Sequence, residues 1–510
     1  MTAARCFGLF LGTLAAAAPS AWNTFTGLEL FLDDEMISWS GNLHRTIYPV
    51  TKHAANPVVR TEHPWEQSFT TIYGSVLRDP ARGLFRMWYN AYGADYGNQQ
   101  YLAYAESPDG VQWNKPMMDL VPFGETPRTN ILFGREANVH GPAVVRNPQG
   151  PPEERYLLMF DSYTKHRPGS AESKLTGRAV YIATSADGIH FEPKQGRLAV
   201  PGKSDVGHSL VWNPERGTWQ AFLRGVNEYV DEGGLRQRVR YVRLSESTDA
   251  KQWSEPVELM KTDEIDGAPD VQMHQFSVTR YGPVYIGLLS LFRIDRLEFD
   301  AEYRGDKGIR MEFGKTETQL AISRDGVHWQ RVANRGTFLP LGAPDQWDGG
   351  WIVTASQMVA HDGRVLIYYG GANGRFGKKT EIGLATVPLD RFVAMKPKRL
   401  NAEAILELKP FHYPEPDLVL NADASKGGEI QVEVLNYDGS VIKGFERTNF
   451  LPVRGDQMQH PLRWKSESGP RGLPAQTGPG LKAVRLRFYL RNAEIYSLRS
   501  ASMDFGVAGK

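Results

Sequence analysis

Short apolar runs alternate with polar turns along most of the chain, and the alternation repeats with a long period. Five runs carry an aromatic or aliphatic core: Phe85-Arg86-Met87-Trp88-Tyr89, Tyr156-Leu157-Leu158-Met159-Phe160, Trp219-Gln220-Ala221-Phe222-Leu223, Val284-Tyr285-Ile286-Gly287-Leu288 and Val365-Leu366-Ile367-Tyr368-Tyr369. Most follow a polar turn such as Arg82-Gly83, Arg216-Gly217 or Asp362-Gly363. Runs this short, bounded by turns, predict strands rather than helices. A second phrase follows each run. Its copies are Ser107-Pro108-Asp109-Gly110-Val111-Gln112-Trp113, Ser185-Ala186-Asp187-Gly188-Ile189-His190-Phe191, Ser247-Thr248-Asp249-Ala250-Lys251-Gln252-Trp253, Ser323-Arg324-Asp325-Gly326-Val327-His328-Trp329 and the degraded Thr386-Val387-Pro388-Leu389-Asp390-Arg391-Phe392. Asp-Gly between strands marks a tight turn, because Gly accepts positive φ and Asp bonds its own backbone. The closing Trp or Phe is placed to pack back across the sheet as a blade anchor.

A third set of strands, at 70–77, 141–145, 208–212, 275–279 and 352–359, completes the repeat. Strand-rich repeats of this length mean a propeller or a solenoid. Five copies predict five four-stranded blades, over 66–128, 138–198, 204–262, 268–336 and 347–396. The lead-in at 27–50, with a strand at 28–32, is expected to help close the ring beside the last blade. Residues 397–416 read as a linker. From 418 the texture changes: Val432-Glu433-Val434-Leu435 and Val484 to Leu490 alternate, separated by Gly- and Pro-rich stretches. That pattern predicts a β-sandwich of about eight strands. The expected chain is therefore all-β, with a five-bladed β-propeller over 22–408 and a β-sandwich over 415–510.

Composition narrows the partners. Lys and Arg number 59 against 58 Asp and Glu, a formal net charge of +1, so electrostatics makes no case for nucleic acid or an anionic membrane. Residues 1–21 read as a secretory signal peptide, with Arg5 as the positive start, an apolar run at 6–18 and an Ala-rich end. Secretion or export to a periplasm is the expectation. The run is too short to span a bilayer, and no later segment is long enough. Cys6 is the only cysteine, so no disulfide or thiol chemistry is expected in the mature chain. The pattern leaves the oligomeric state open.

An exported five-bladed propeller with an appended sandwich resembles the clan of glycoside hydrolases that includes families 32, 43, 62, 68 and 117. The five Ser-x-Asp-Gly-x-x-Trp-like turns look most like family 32 blades. Leu418-Val419-Leu420-Asn421-Ala422-Asp423 and Val484 to Leu490 resemble the sandwich appended to many such proteins. The resemblance implies a secreted enzyme cleaving a poly- or oligosaccharide by carboxylate chemistry in the channel. The family 32 nucleophile motif Asn-Asp-Pro-Asn-Gly is absent. Arg78-Asp79-Pro80 lies in the turn after the first strand of blade one, the wrong place for a channel acid. The Glu-Cys acid/base motif is also absent. Activity on fructosides is therefore not implied.

Glycoside hydrolysis needs two carboxyl groups flanking the scissile bond. In the clan these acids come from the starts of first strands in different blades. There the sequence offers Glu66 in blade one, Asp205 in blade three, Asp266 and Asp270 in blade four, and Asp348 in blade five; blade two has Asn138 and His140, with Glu136 further back. The clan layout points to Glu66 as base or nucleophile, Asp205 as the orienting acid and Asp270 as general acid. Trp347 and Trp351 flank Asp348 as a sugar platform, because apolar sugar faces stack on aromatic rings. His140, His208 and His274 recur at the blade period, which suits substrate contact, with a divalent cation as the weaker option. Arg224, Tyr92 and Tyr163 follow equivalent second strands and are placed to line the ligand face. No cofactor is expected beyond that channel cation. The alternatives are a noncatalytic carbohydrate-binding propeller, and a metal- or His-dependent enzyme such as a polysaccharide lyase. The lone tryptophan after 415, Trp464, argues against a sugar platform on the sandwich.

Overall fold

The computed structural model describes residues 23–94, 100–134, 137–163, 178–205, 207–230, 236–300, 309–374, 380–400, 402–474 and 483–503. The expected signal peptide and Glu136 lie outside them, as does the side chain of Tyr163. The described chain is strands joined by turns, with helical structure confined to 3-10 turns.

Five blades, in four hydrogen-bonded sheets, follow one another around a common axis. Blade one is Phe69–Asp79, Leu84–Tyr92, Gln100–Ser107 and Ile131–Phe133; blade two is His140–Arg146, Tyr156–Tyr163, Arg178–Ser185 and Glu192–Pro201. Blades three and four start with Ser209–Asn213 and Val271–Tyr281, and an Arg236–Ile309 pairing joins their long outer hairpins into one sheet. Blade five starts with Trp351–Thr354 and continues through Arg364–Ala372 and Thr380–Pro388. Its outer strand is Thr51–Lys52, paired with Thr386 and Ala385. The ring is therefore closed by a strand from the start of the chain, as expected, but just beyond the predicted lead-in.

The lead-in itself goes elsewhere. Leu28–Glu29 pairs with the strand Glu494–Ser500, Ile37–Gly41 with Ala404–Leu408, and Leu43–Ile47 with Val393–Pro397. All belong to the sandwich, whose two sheets carry six strands each. The boundaries 22–408 and 415–510 therefore do not coincide with the sheets. The sandwich takes its edge strands from both sides of the propeller, which buries Phe25, Phe31, Met36 and Leu43 in the same core as Leu418, Val432 and Leu490.

The repeated turn explains itself locally. In blade two the Asp187 carboxylate accepts the Ile189 and His190 backbone N–H groups, and Ser185 Oγ accepts the Gly188 N–H. Blades one and four repeat all three bonds. The turn then staples neighbouring blades. The Gly188 carbonyl accepts from Trp88 Nε1 of blade one, the Gly110 carbonyl from Tyr368 OH of blade five, and the Asp325 carbonyl from Asn213 of blade three. In the fifth copy Pro388 and Leu389 stand where the others have Asp and Gly or Ala, and Asp390 serves the sandwich: its carboxylate is fully buried and accepts from Arg499 and Ser497, both on the strand Glu494–Ser500.

Candidate active site

The site lies where the first strands begin, at the mouth opposite the repeated turns. Three first strands are irregular there, with register shifts between Thr71 and Ser75, His140 and Ala143, and Met273 and Gln275. Bulges re-aim side chains and favour active-site edges. The first depends on Gly74, where an added Cβ would stand 1.9 Å from the Trp88 carbonyl oxygen. No other residue fits, and the neighbouring Tyr73 is turned onto the axis. Its ring meets His140 of blade two at 5.8 Å and Trp351 of blade five at 6.0 Å, both edge-on. Trp351 also meets Phe69 at 5.7 Å and His274 of blade four at 6.1 Å, and Phe69 meets Tyr92 edge-on at 5.0 Å. Rings from four blades thus form one wall. Beneath it the axis is filled by buried polar groups: Gln275 donates to the Thr354 carbonyl, and Ser75 and Ser356 share a hydrogen bond of 2.6 Å.

The polar side of the mouth is built on Asp161, fully buried at the upper end of blade two's second strand. Its carboxylate accepts Arg178 Nε and the backbone N–H groups of Ser204 and Asp205. Those bonds hold Asp205 in the left-handed region, at φ 62°. The Asp205 carboxylate then accepts Arg178 Nη1 at 2.8 Å and Arg224 Nη2, with Lys203 Nζ at 3.3 Å and His140 Nε2 at 3.6 Å. Burial alone would raise its pKa, but Lys203, Arg224 and Arg178 outweigh it and hold the group well below the usual carboxylate range. On its other edge His140 Nδ1 shares a 2.5 Å hydrogen bond with Tyr92 OH. Desolvation, helped by Arg178, pulls the His140 pKa down to about 3, so the ring is neutral. Desolvation also lowers Arg224 to about 10, against the pull of Asp205.

The structure therefore brings together Asp205, His140, His274, Trp351, Arg224 and Tyr92. It separates Glu66, Asp348, Trp347, His208 and Asp266. Glu66 is fully buried within its own turn, Pro64–Glu66, where it accepts the Glu62 and His63 N–H groups, Tyr89 OH at 2.6 Å and Lys115 Nζ at 3.0 Å. An acid tied to four donors and closed to solvent is no base for a substrate in the channel. Asp348 is buried against Lys52 Nζ at 2.6 Å and Tyr369 OH at 2.9 Å, and Trp347 stacks on Tyr369. Asp348 fastens the closing strand of blade five, and Trp347 packs on that blade's second strand. His208 is fully buried and bonds the Gly141 carbonyl through Nδ1, joining blades two and three. Among the described residues no three His, Cys, Asp or Glu side chains are grouped to hold a metal ion, so the three histidines do not converge. Asp266 is buried in an ion pair with Arg331. Asp270 stays exposed at the start of blade four's first strand. Sequence reasoning missed Asp161, Arg178, Tyr73 and Phe69. The available signal was a charged residue, Asp161, ending an otherwise wholly apolar run.

No protein-family model matches the chain, and no curated protein matches it. Solved structures similar to it include an N-acetylgalactosamine deacetylase from F. plautii in complex with blood group B trisaccharide, at 14% identity and TM-score 0.44, covering 69% of this chain and 97% of that one. A β-1,2-mannobiose phosphorylase from Listeria innocua matches at 13% identity and TM-score 0.43, covering 69% and 98%. A fructofuranosidase variant from Schwanniomyces occidentalis complexed with fructosylnystose matches at 11% identity and TM-score 0.39, covering 87% and 96%. At this distance the reaction has to be argued from the site.

Proposed function

We propose that the chain is a carbohydrate-active enzyme that cleaves a glycosidic bond at the first-strand mouth, with Asp205 as its ionised carboxylate and Asp270 as proton donor. The observation that carries this reading is the pairing of the Asp205–His140–Tyr92 cluster with a wall of four aromatic rings. Held in its charged form by its cations, the carboxylate suits a nucleophilic or charge-stabilising role rather than that of a base. The Asp270 proton passes to the leaving oxygen, and water supplies the hydroxyl of the new reducing end and the proton that restores Asp270. Residues 1–21 support export of the chain.

One observation favours a second reading, β-elimination on a uronate sugar. His140 is neutral and bonded to Tyr92 OH, a base and an acid in contact, beside the cations Arg178, Arg224 and Lys203, which suit a uronate carboxylate. The product decides. The mature chain is incubated with neutral and uronate-containing polysaccharides, with Asp205→Asn, Asp270→Asn and Tyr92→Phe alongside and chelator in a duplicate. Saturated sugars, lost with either aspartate and indifferent to chelator, support hydrolysis. Ultraviolet-absorbing unsaturated sugars, lost in Tyr92→Phe, replace it with elimination.

A further inference from the structure

The sandwich presents a second feature that the mouth does not use. Its sheet built on Ile37–Gly41, Ala404–Leu408, Val484–Arg491 and Glu429–Asn436 has one face in the core, through Leu406, Leu408, Phe488 and Val432. The other face is partly covered: Glu407 and Glu433 are buried beneath the part-exposed Arg485 and Arg487. Across it run Trp39, Glu407, Arg487 and Glu433, each paired in register with the next. A register shift between Glu407 and Leu408 lets Ile37 face the core while Trp39, two residues on, faces outward. The Trp39 ring folds over Gly41, where an added Cβ would stand 2.7 Å from Cη2. The ring therefore lies along the strand, 52% exposed, and Tyr437 is exposed to the same degree. Arg485 links the two: it donates to the Tyr437 carbonyl at 3.1 Å, to Ser38 Oγ at 3.4 Å and to Glu407 Oε1 at 2.9 Å.

We propose that this face is a carbohydrate-binding platform, separate from the propeller mouth, that takes the pyranose rings of a neutral polysaccharide. Two half-exposed aromatics offer stacking surfaces for apolar sugar faces. Between them the part-exposed Arg485 and Arg487 offer N–H donors for hydroxyl groups, ordered by bonds of 2.9 Å to the buried Glu407 and Glu433. Their charges balance in pairs, which matches an uncharged ligand and disfavours a polyanion or nucleic acid. The platform was hidden from the sequence because Trp39 stands some hundreds of residues before the strands it joins. Trp464, the tryptophan within the C-terminal segment, is fully buried in the core.

The test is co-sedimentation of the full chain with insoluble cellulose, mannan and chitin, with pectate gel as the charged control. Wild type is expected to pellet with at least one neutral polysaccharide. Trp39→Ala is expected to bind about tenfold more weakly, the loss of roughly 1.4 kcal/mol of stacking, while Trp39→Tyr retains binding. Turnover of small soluble substrates is expected to be unchanged in both, so failure of the catalytic reading leaves this result standing. An unchanged thermal midpoint in Trp39→Ala guards against misfolding, and Tyr437→Ala provides an independent variant. Equal pelleting of wild type, Trp39→Ala and Tyr437→Ala overturns the proposal, as does binding to pectate alone. A change in sedimentation coefficient on Trp39→Ala also overturns it, because the face then joins two copies of the chain.

Discussion

Ser185 and Asp187 make in blade two the same bonds that Ser323 and Asp325 make in blade four, at the end where third strands turn. At the opposite end, His140 and Trp351 begin the first strands of blades two and five and have no chemistry in common. The turn end repeats because the turns of blades one, two and four share one task, stapling each blade to the previous one. The mouth diverges because its residues act together on one axis. Asp205 is a single ionised carboxylate, and Tyr73 a single ring touching blades two and five. In a repeat fold, uniform positions hold the ring and non-uniform positions at matching depth carry the chemistry. The fifth turn is the exception within the uniform end, where Asp390 has been recruited by the sandwich.

That exception gives the largest expected stability effect. Arg499→Ala leaves Asp390 buried without its cation and is expected to destabilise the chain by about 3–5 kcal/mol, read by denaturant unfolding, with little effect on ligand binding at the mouth. The next effect is on pH. In the fold His140 is pulled to about 3 and His208 to about 4, by desolvation in both cases. The unfolded chain takes up those protons near its ordinary value, about 6.5. Stability is therefore full above that pH and falls as pH drops towards 4, by up to about 1.4 kcal/mol per pH unit for each ring. His208→Gln is expected to halve that contribution in thermal unfolding measured across pH 7 to about 4.

At the uniform end, Asp187→Ala removes the acceptor of two backbone N–H groups and is expected to cost about 1–2 kcal/mol while leaving turnover intact. The third copy departs from the repeat at one residue. Ala250 occupies the seat held by Gly110, Gly188 and Gly326, at φ 58°. Ala250→Gly relieves that strain and is expected to raise stability by about 0.5–1 kcal/mol, read as a small rise in thermal midpoint.

What the sequence disclosed follows the same division. The blades, their order and their turns were legible, because a tight turn imposes Ser, Asp and Gly at fixed spacing. The sandwich was legible in its long alternating strands but not in its edges, since Leu28–Glu29 and Leu43–Ile47 are too short to carry a period. The mouth was legible only in part. A search for acids before first strands found Asp205, which lies at the mouth, and Glu66, which closes its own turn inside blade one. It passed over Asp161 and Arg178, because the pair that positions Asp205 comes from second and third strands and meets only through sheet register. Trp347 and Trp351 are four residues apart and equally aromatic, yet one stacks on Tyr369 within blade five and the other faces the axis.

The account stands or falls on where the chemistry resides. The direct measurement is kcat on the polysaccharide the wild type degrades, for Asp205→Asn beside Asp187→Ala, each checked for its thermal midpoint. The account predicts a loss of about a hundredfold or more for Asp205→Asn and near wild-type turnover for Asp187→Ala. Comparable activity in the two variants would contradict it and remove the catalytic centre from the first-strand mouth.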